Sequence, residues 1–119
     1  MKYNPTKAAY AAFFTQQGIN MSKPFKAIKD GITFDVIKFA VTREVKCKFG
    51  VHKDDNAMDI CRFMSLNKMG VHYDKDGRYI NIETIEGIMR ARLGDYIIKD
   101  DGGEFYPCNP DIFKEMYNY

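Results

Sequence analysis

The sequence predicts an α+β domain built on an antiparallel β-meander, and three observations carry that expectation. Apolar alternation with a period of two recurs over Ile32–Phe49 and again over residues 71–108. Gly-containing turns punctuate the alternating runs, as in antiparallel hairpins. Two Asn-Pro pairs, Asn4-Pro5 and Asn109-Pro110, mark helix starts, because Asn accepts a hydrogen bond from a free backbone N–H and Pro has no N–H to leave unpaired. The order read is helix, hairpin, helix, β-meander, helix. With 119 residues, 45% of them hydrophobic, one core is expected: a single domain over 21–119, preceded by a helical extension over 1–20.

The first helix is expected between Asn4 and Gly18, where Ala8, Ala9, Ala11 and Ala12 raise helix propensity and Tyr10, Phe13 and Phe14 form an aromatic stripe. That stripe must cover apolar surface, either the chain's own sheet or another chain, which makes this helix the expected interaction or oligomerisation element. Residues 19–31, with Pro24 and Gly31, read as a connector with a short extended piece. In the next segment Ile32, Phe34 and Val36 alternate, the phase shifts at Ile37, Phe39 and Val41, and Val45, Cys47 and Phe49 alternate again. A bulge near Val36-Ile37 and a hairpin turn near Thr42-Arg43 follow.

Asp54 or Asp55 is expected to cap a second helix reaching about Lys68, with Gly70 as its stop and Met58, Cys61, Met64 and Ser65 along one side. Strands are then read at Val71–Tyr73, Tyr79–Thr84, Ile88–Leu93, Tyr96–Lys99 and Glu104–Tyr106. Gly94 and Gly103 supply turns, Ile97, Phe105 and Phe113 feed the core, and Asn109-Pro110 begins a short closing helix.

Composition narrows the chemistry. Charged residues make up 29% and no run approaches 18 apolar residues, which excludes a helical membrane span. No secretory signal pattern is visible, so a cytoplasmic protein is expected. The net charge of +2 divides unevenly: residues 1–53 hold ten Lys/Arg and three acids, residues 54–119 eight and thirteen. A basic half of this kind attracts phosphate or an acidic surface unless folding interleaves the two sets.

Cys47, Cys61 and Cys108 are odd in number and widely spaced, which argues for reduced thiols without a disulfide framework. Together with His52 and His72 they form no zinc-type pair, so no metal is expected. Asp74-Lys75-Asp76-Gly77 matches part of a calcium loop, with Glu83 at the twelfth position, but His72 stands at the first, and a plain hairpin turn is the reading. There is no phosphate-cradling loop, dinucleotide fingerprint or identifiable oxyanion element. Catalysis is therefore not expected; of the two candidate nucleophiles, Cys61 lies mid-helix among apolar neighbours that make a thiol inert, and Cys108, placed before a helix N-terminus, is the better one. No cofactor is implied.

Binding is what remains. Lys46 and Lys48 read as one face of a strand, and Arg90 and Arg92 as one face of another, since residues two apart in a strand project alike. Paired guanidinium forks suit phosphate oxygens, and Tyr73, Tyr79, Tyr96 and Tyr106, read on the same sheet, suit stacking on bases.

The string Gly94-Asp95-Tyr96-Ile97-Ile98-Lys99, then Gly103-Glu104-Phe105-Tyr106-Pro107-Cys108-Asn109-Pro110-Asp111-Ile112-Phe113 and Tyr117, resembles the C-terminal signature of small proteins encoded by tailed bacteriophages and prophages. Members of that family commonly end in Pro-Gly-Asp-Tyr-Ile-Ile-Lys-Gly, Gly-Glu-Phe-Tyr-Pro-Cys-Lys-Pro-Asp-Ile-Phe and a terminal Tyr. The likeness runs from about Tyr79 to Tyr117, with Leu93 where the family has Pro and Asn109 where it has Lys. It implies a phage or prophage accessory protein in the host cytoplasm that acts by binding and inhibits a host defence system. The partner would be a host protein or a phosphate-bearing small ligand such as a nucleotide signal. The competing class is a nucleic-acid-binding or virion-assembly protein, and self-association is compatible with either.

Overall fold

The computed structural model describes residues 20–65 and 71–119, which form nine strands and two helices. In chain order these are β1 (Phe25–Lys29), β2 (Ile32–Lys38), β3 (Val41–Cys47), β4 (Gly50–Asp55), α1 (Ala57–Phe63), β5 (Val71–Asp74), β6 (Gly77–Thr84), β7 (Gly87–Arg92), β8 (Tyr96–Lys99), β9 (Phe105–Cys108) and α2 (Pro110–Met116). All pairings are antiparallel, so the α+β class holds; the expected N-terminal helix lies outside the described residues.

The expected single meander is instead three sheets: a four-stranded sheet in the order β1-β2-β8-β9, the β3–β4 ribbon, and a three-stranded β5-β6-β7 sheet. Gly94-Asp95 causes the switch. The Gly94 N–H donates to the Phe39 carbonyl at 2.7 Å and the Phe39 N–H to the Asp95 carbonyl at 2.8 Å, which carries the chain from β7 to the far side of β2. Gly94 has φ 99°, a backbone region where a side chain is strained.

Both faces of the central sheet are buried. Val36 pairs with Ile98 and Ile37 with Ile97, and alternation sends the two pairs to opposite faces. On one face Phe25, Ala27, Val36, Tyr96 and Ile98 meet Phe113 of α2 and Tyr117 beyond it. The Phe113 ring stacks on Tyr96 at 3.9 Å and on Tyr117 at 4.9 Å between centroids, with Phe25 edge-on at 6.1 Å. On the other face Ile37 and Ile97 meet Phe39, Ile60 of α1, and Ile80, Ile82 and Ala91 of β6 and β7.

This two-sided burial explains the mistaken bulge at Val36-Ile37. A strand covered on both faces reads as a continuous apolar run, which imitates a phase shift where the backbone is regular. The real irregularity lies at Val41/Arg43, and the ribbon reverses at Lys48-Phe49 rather than near Thr42-Arg43. The connector before it contains β1, paired to β2 through an Asp30-Gly31 turn.

Helix α1 is also shorter and differently capped than expected. Asn56 occupies its N-cap, the Asp55 carboxylate accepts from the Ala57 N–H at 3.0 Å, and the last turn closes on Met64. Its buried residue is Ile60, with Ala57, Phe63 and Met64 packed beside it, whereas Met58 faces solvent. At the other end α2 starts as read: the Asn109 side chain accepts from the Asp111 N–H at 2.8 Å and Pro110 follows the cap. The tail then pairs Asn118 with Ile28 and covers the β1 edge.

Candidate functional site

Two surfaces stand out, and they differ in how far their charges are already satisfied. On the outer face of the three-stranded sheet, Arg90 and Arg92 of β7 project together, opposite Asn81 and Tyr79 of β6. They are not free. Arg92 donates to both oxygens of Asp74, at 3.0 and 2.6 Å, and Arg90 donates to one of them at 3.0 Å. The Asp76 N–H adds a fourth bond to the same carboxylate at 2.8 Å. Hydrogen bonding from Arg92, supported by the Asp76 amide and the charges of both arginines, holds the Asp74 carboxyl at about 2.

The guanidinium of Arg90 lies 4.2 Å from the Tyr79 ring centroid, and His72 stacks on the same ring at 5.3 Å. The result is a layered His72-Tyr79-arginine surface drawn together across three strands by one carboxylate. Asp74 thus serves as a guanidinium anchor within a tight turn, in place of the calcium ligand its spacing suggested. Among the described residues, no group of three His, Cys, Asp or Glu side chains is placed to hold a metal ion.

The β3–β4 ribbon is the opposite case. From Arg43 to Lys53 every residue is exposed, and the ribbon contributes no residue to either buried cluster beyond its base. Its charges are paired near the base: Arg43 with Asp54, which is also within hydrogen-bond distance of His52, Lys53 with Glu44, and Arg78 of β6 with Asp55 at 2.7 Å. Towards the tip the pairing stops. Lys46 joins no ion pair with any described residue, and Lys48 lies 5.8 Å from the Phe49 ring without an acidic partner. Phe49 is 92% exposed, with Val51 and Val45 exposed behind it. Lys48 therefore belongs to the turn rather than to the strand face shared with Lys46, and both lie on a different sheet from Arg90 and Arg92.

The remaining candidates are structural. Tyr96 is 1% exposed and its hydroxyl donates to the Met21 sulfur at 3.2 Å, so its ring is closed to a base, and burial pushes its phenol up to about 12. Tyr106 sits half-buried against the same cluster and hydrogen-bonds Tyr117. Neither shares a sheet with the arginines; Tyr73 and Tyr79 do. The Cys108 thiol is half-buried, and burial, followed by the nearby Asp95 charge, raises its pKa, which overrides the helix-terminus effect expected for it. Tyr10, Phe13 and Phe14 lie outside the described residues.

Sequence reasoning missed Asn56. It is 2% exposed; its side chain accepts from the Ala40 N–H at 2.8 Å and donates to the carbonyls of Ser22 and Lys38 at 2.9 and 2.6 Å. One amide thus fixes the ribbon's base to the central sheet. The signal available was a lone Asn ahead of an apolar helix, which reads only as a cap.

Comparison of the chain with protein-family models, with curated proteins and with solved structures returned no match.

Proposed function

We propose that this chain is a non-enzymatic phage or prophage accessory protein that inhibits a host defence protein in the host cytoplasm, with the β3–β4 ribbon as its contacting element. The C-terminal resemblance to small phage proteins supplies the biological setting. The observation that carries the reading is the ribbon tip, where a nearly fully exposed Phe49 is flanked by the uncompensated Lys46 and Lys48. An aromatic side chain held in solvent costs favourable burial that only a partner restores, and aromatic residues are the commonest interface anchors.

Magnitudes separate this reading from its rivals. A nucleotide sponge needs guanidinium donors for phosphate, yet Asp74 already engages both Arg90 and Arg92. A nucleic-acid reading draws on the same tip, with Phe49 stacking on a base and two lysines on phosphates. Two phosphate contacts give a salt slope of only about −1.8 and weak non-specific affinity.

The test is expression of the protein in a host carrying the defence system, followed by size-exclusion recovery of the complex. Parent protein is expected to restore plaque formation and to co-elute with one host protein in fixed stoichiometry. The Phe49→Ala/Lys46→Ala/Lys48→Ala variant is expected to lose both with its melting temperature unchanged. Retention of nucleic acid, lost as salt rises, would favour the alternative, and full activity of the folded variant would reject the ribbon.

A further inference from the structure

We propose that β7 is a pairing edge for a second copy of this chain, the two strands running antiparallel about a two-fold axis at Met89, so that two three-stranded sheets become one of six strands. β7 is the last strand of its sheet. The Arg92 N–H donates to the Asp95 carboxylate at 2.9 Å rather than to β6, so by alternation the N–H groups of Ile88 and Arg90 also point off the open edge. No backbone bond outside the sheet joins either of them to another described residue. The β1 edge of the central sheet is handled differently, since Asn118 covers it.

Edge strands are ordinarily protected by charged side chains that repel an incoming strand. β7 carries two arginines that would do this, but the Asp74 carboxylate on β5 draws both inward across the sheet, with Arg90 held over Tyr79. What the edge presents instead is apolar: Ile88 is 66% and Ile85 84% exposed, with Met89 and Leu93 also exposed. The clamp therefore leaves the edge open rather than guarded.

Charge selects a second copy and its register. With Met89 opposite Met89 of the second copy, Ile88 faces Arg90 and the two outward backbone pairs bond reciprocally. Arg92, whose guanidinium keeps N–H donors beyond the two that Asp74 accepts, then faces Glu86 of the second copy, in the turn that follows β6. Moving the axis to Arg90 would set two arginines directly opposite each other, which is unfavourable.

Sedimentation equilibrium of the full chain from about 1 µM to about 1 mM, a range that spans weak association, reads this directly. The expected result is a mass rising from monomer to dimer. Ile88→Lys is expected to hold the protein monomeric over that range and Glu86→Arg to raise the dissociation constant at least tenfold, both with unchanged melting temperature at low concentration. Phe49→Ala is expected to dimerise like the parent, which keeps this outcome separate from any failure of the ribbon to bind a host protein. A parent that stays monomeric throughout would overturn the proposal. So would a dimer indifferent to both edge substitutions, and so would a parent that is monomeric alone but takes up a host peptide along β7.

Discussion

The central sheet with α2 and the β3–β4 ribbon are built from neighbouring stretches of one chain, yet they use their side chains in opposite ways. In the sheet, Phe25, Tyr96 and Phe113 interlock with ring centroids 3.9 to 6.2 Å apart and none is exposed beyond a few per cent. In the ribbon, Phe49 stands almost wholly in solvent beside Lys48, and every residue from Arg43 to Lys53 is exposed. A two-stranded ribbon of this kind is at best marginally stable alone, so its order derives from its base. The difference teaches that Tyr96 and Phe113, near the C-terminus, hold the fold together, while the exposed aromatic proposed to meet a partner lies elsewhere.

The sharpest way to break this comparison is Phe113→Ala. Removing a fully buried ring from a stack with Tyr96 and Tyr117 is expected to destabilise the protein by roughly 3–5 kcal/mol, measured by denaturant unfolding. A variant that melts like the parent would mean that the signature serves contact rather than packing. Next comes Asn56→Ala, which orphans the Ala40 N–H and the Ser22 and Lys38 carbonyls and is expected to cost roughly 2–3 kcal/mol. Hydrogen exchange should show the ribbon amides opening before those of β2 and β8; uniform opening would show that the ribbon is not separately anchored.

A smaller effect is expected at the arginine clamp. The Asp74 carboxyl is held at about 2 by Arg92, below its ordinary value near 4 in the unfolded chain. A depressed folded-state pKa contributes stability that is present above about 4 and is lost as pH falls from there through about 2. Asp74→Asn is therefore expected to lower stability modestly above about pH 4, because the carboxylate is partly solvated, and to leave it unchanged below about pH 2, which flattens the acid limb of the stability curve between the two. An acid limb unchanged by the substitution would assign it to other carboxylates.

Legibility in the sequence followed burial. The strands β5 to β7 were readable because Gly turns and alternation mark them directly, β8 and β9 because the turns at Gly94-Asp95 and Asp100–Gly103 bound them, and the last helix because Asn109-Pro110 starts it. β2 was misread because both of its faces are covered, which erases the alternation that registers a strand. The Lys48-Phe49 reversal had a usable signal in Gly50, but Phe49 in the turn prolonged the apolar alternation past it. The arginine pair was legible as a pair; its neutralisation was not, since Asp74 lies two strands away and only the β5-β6-β7 register brings it into reach. The charge asymmetry between the halves of the chain largely interleaves on folding, as Lys23 with Asp59 and Arg43 with Asp54 illustrate.

The most direct test of the division between a packed scaffold and a contacting ribbon is a calorimetric titration of the host protein recovered with the parent, comparing parent and Phe49→Ala. The expected loss of affinity is at least ~2 kcal/mol, about thirtyfold, because interface aromatics carry this much. Stability of the variant is expected within ~0.5 kcal/mol of the parent, since Phe49 touches no core. Equal affinity of the two proteins, or a loss of affinity matched by a fall in melting temperature, would contradict the account.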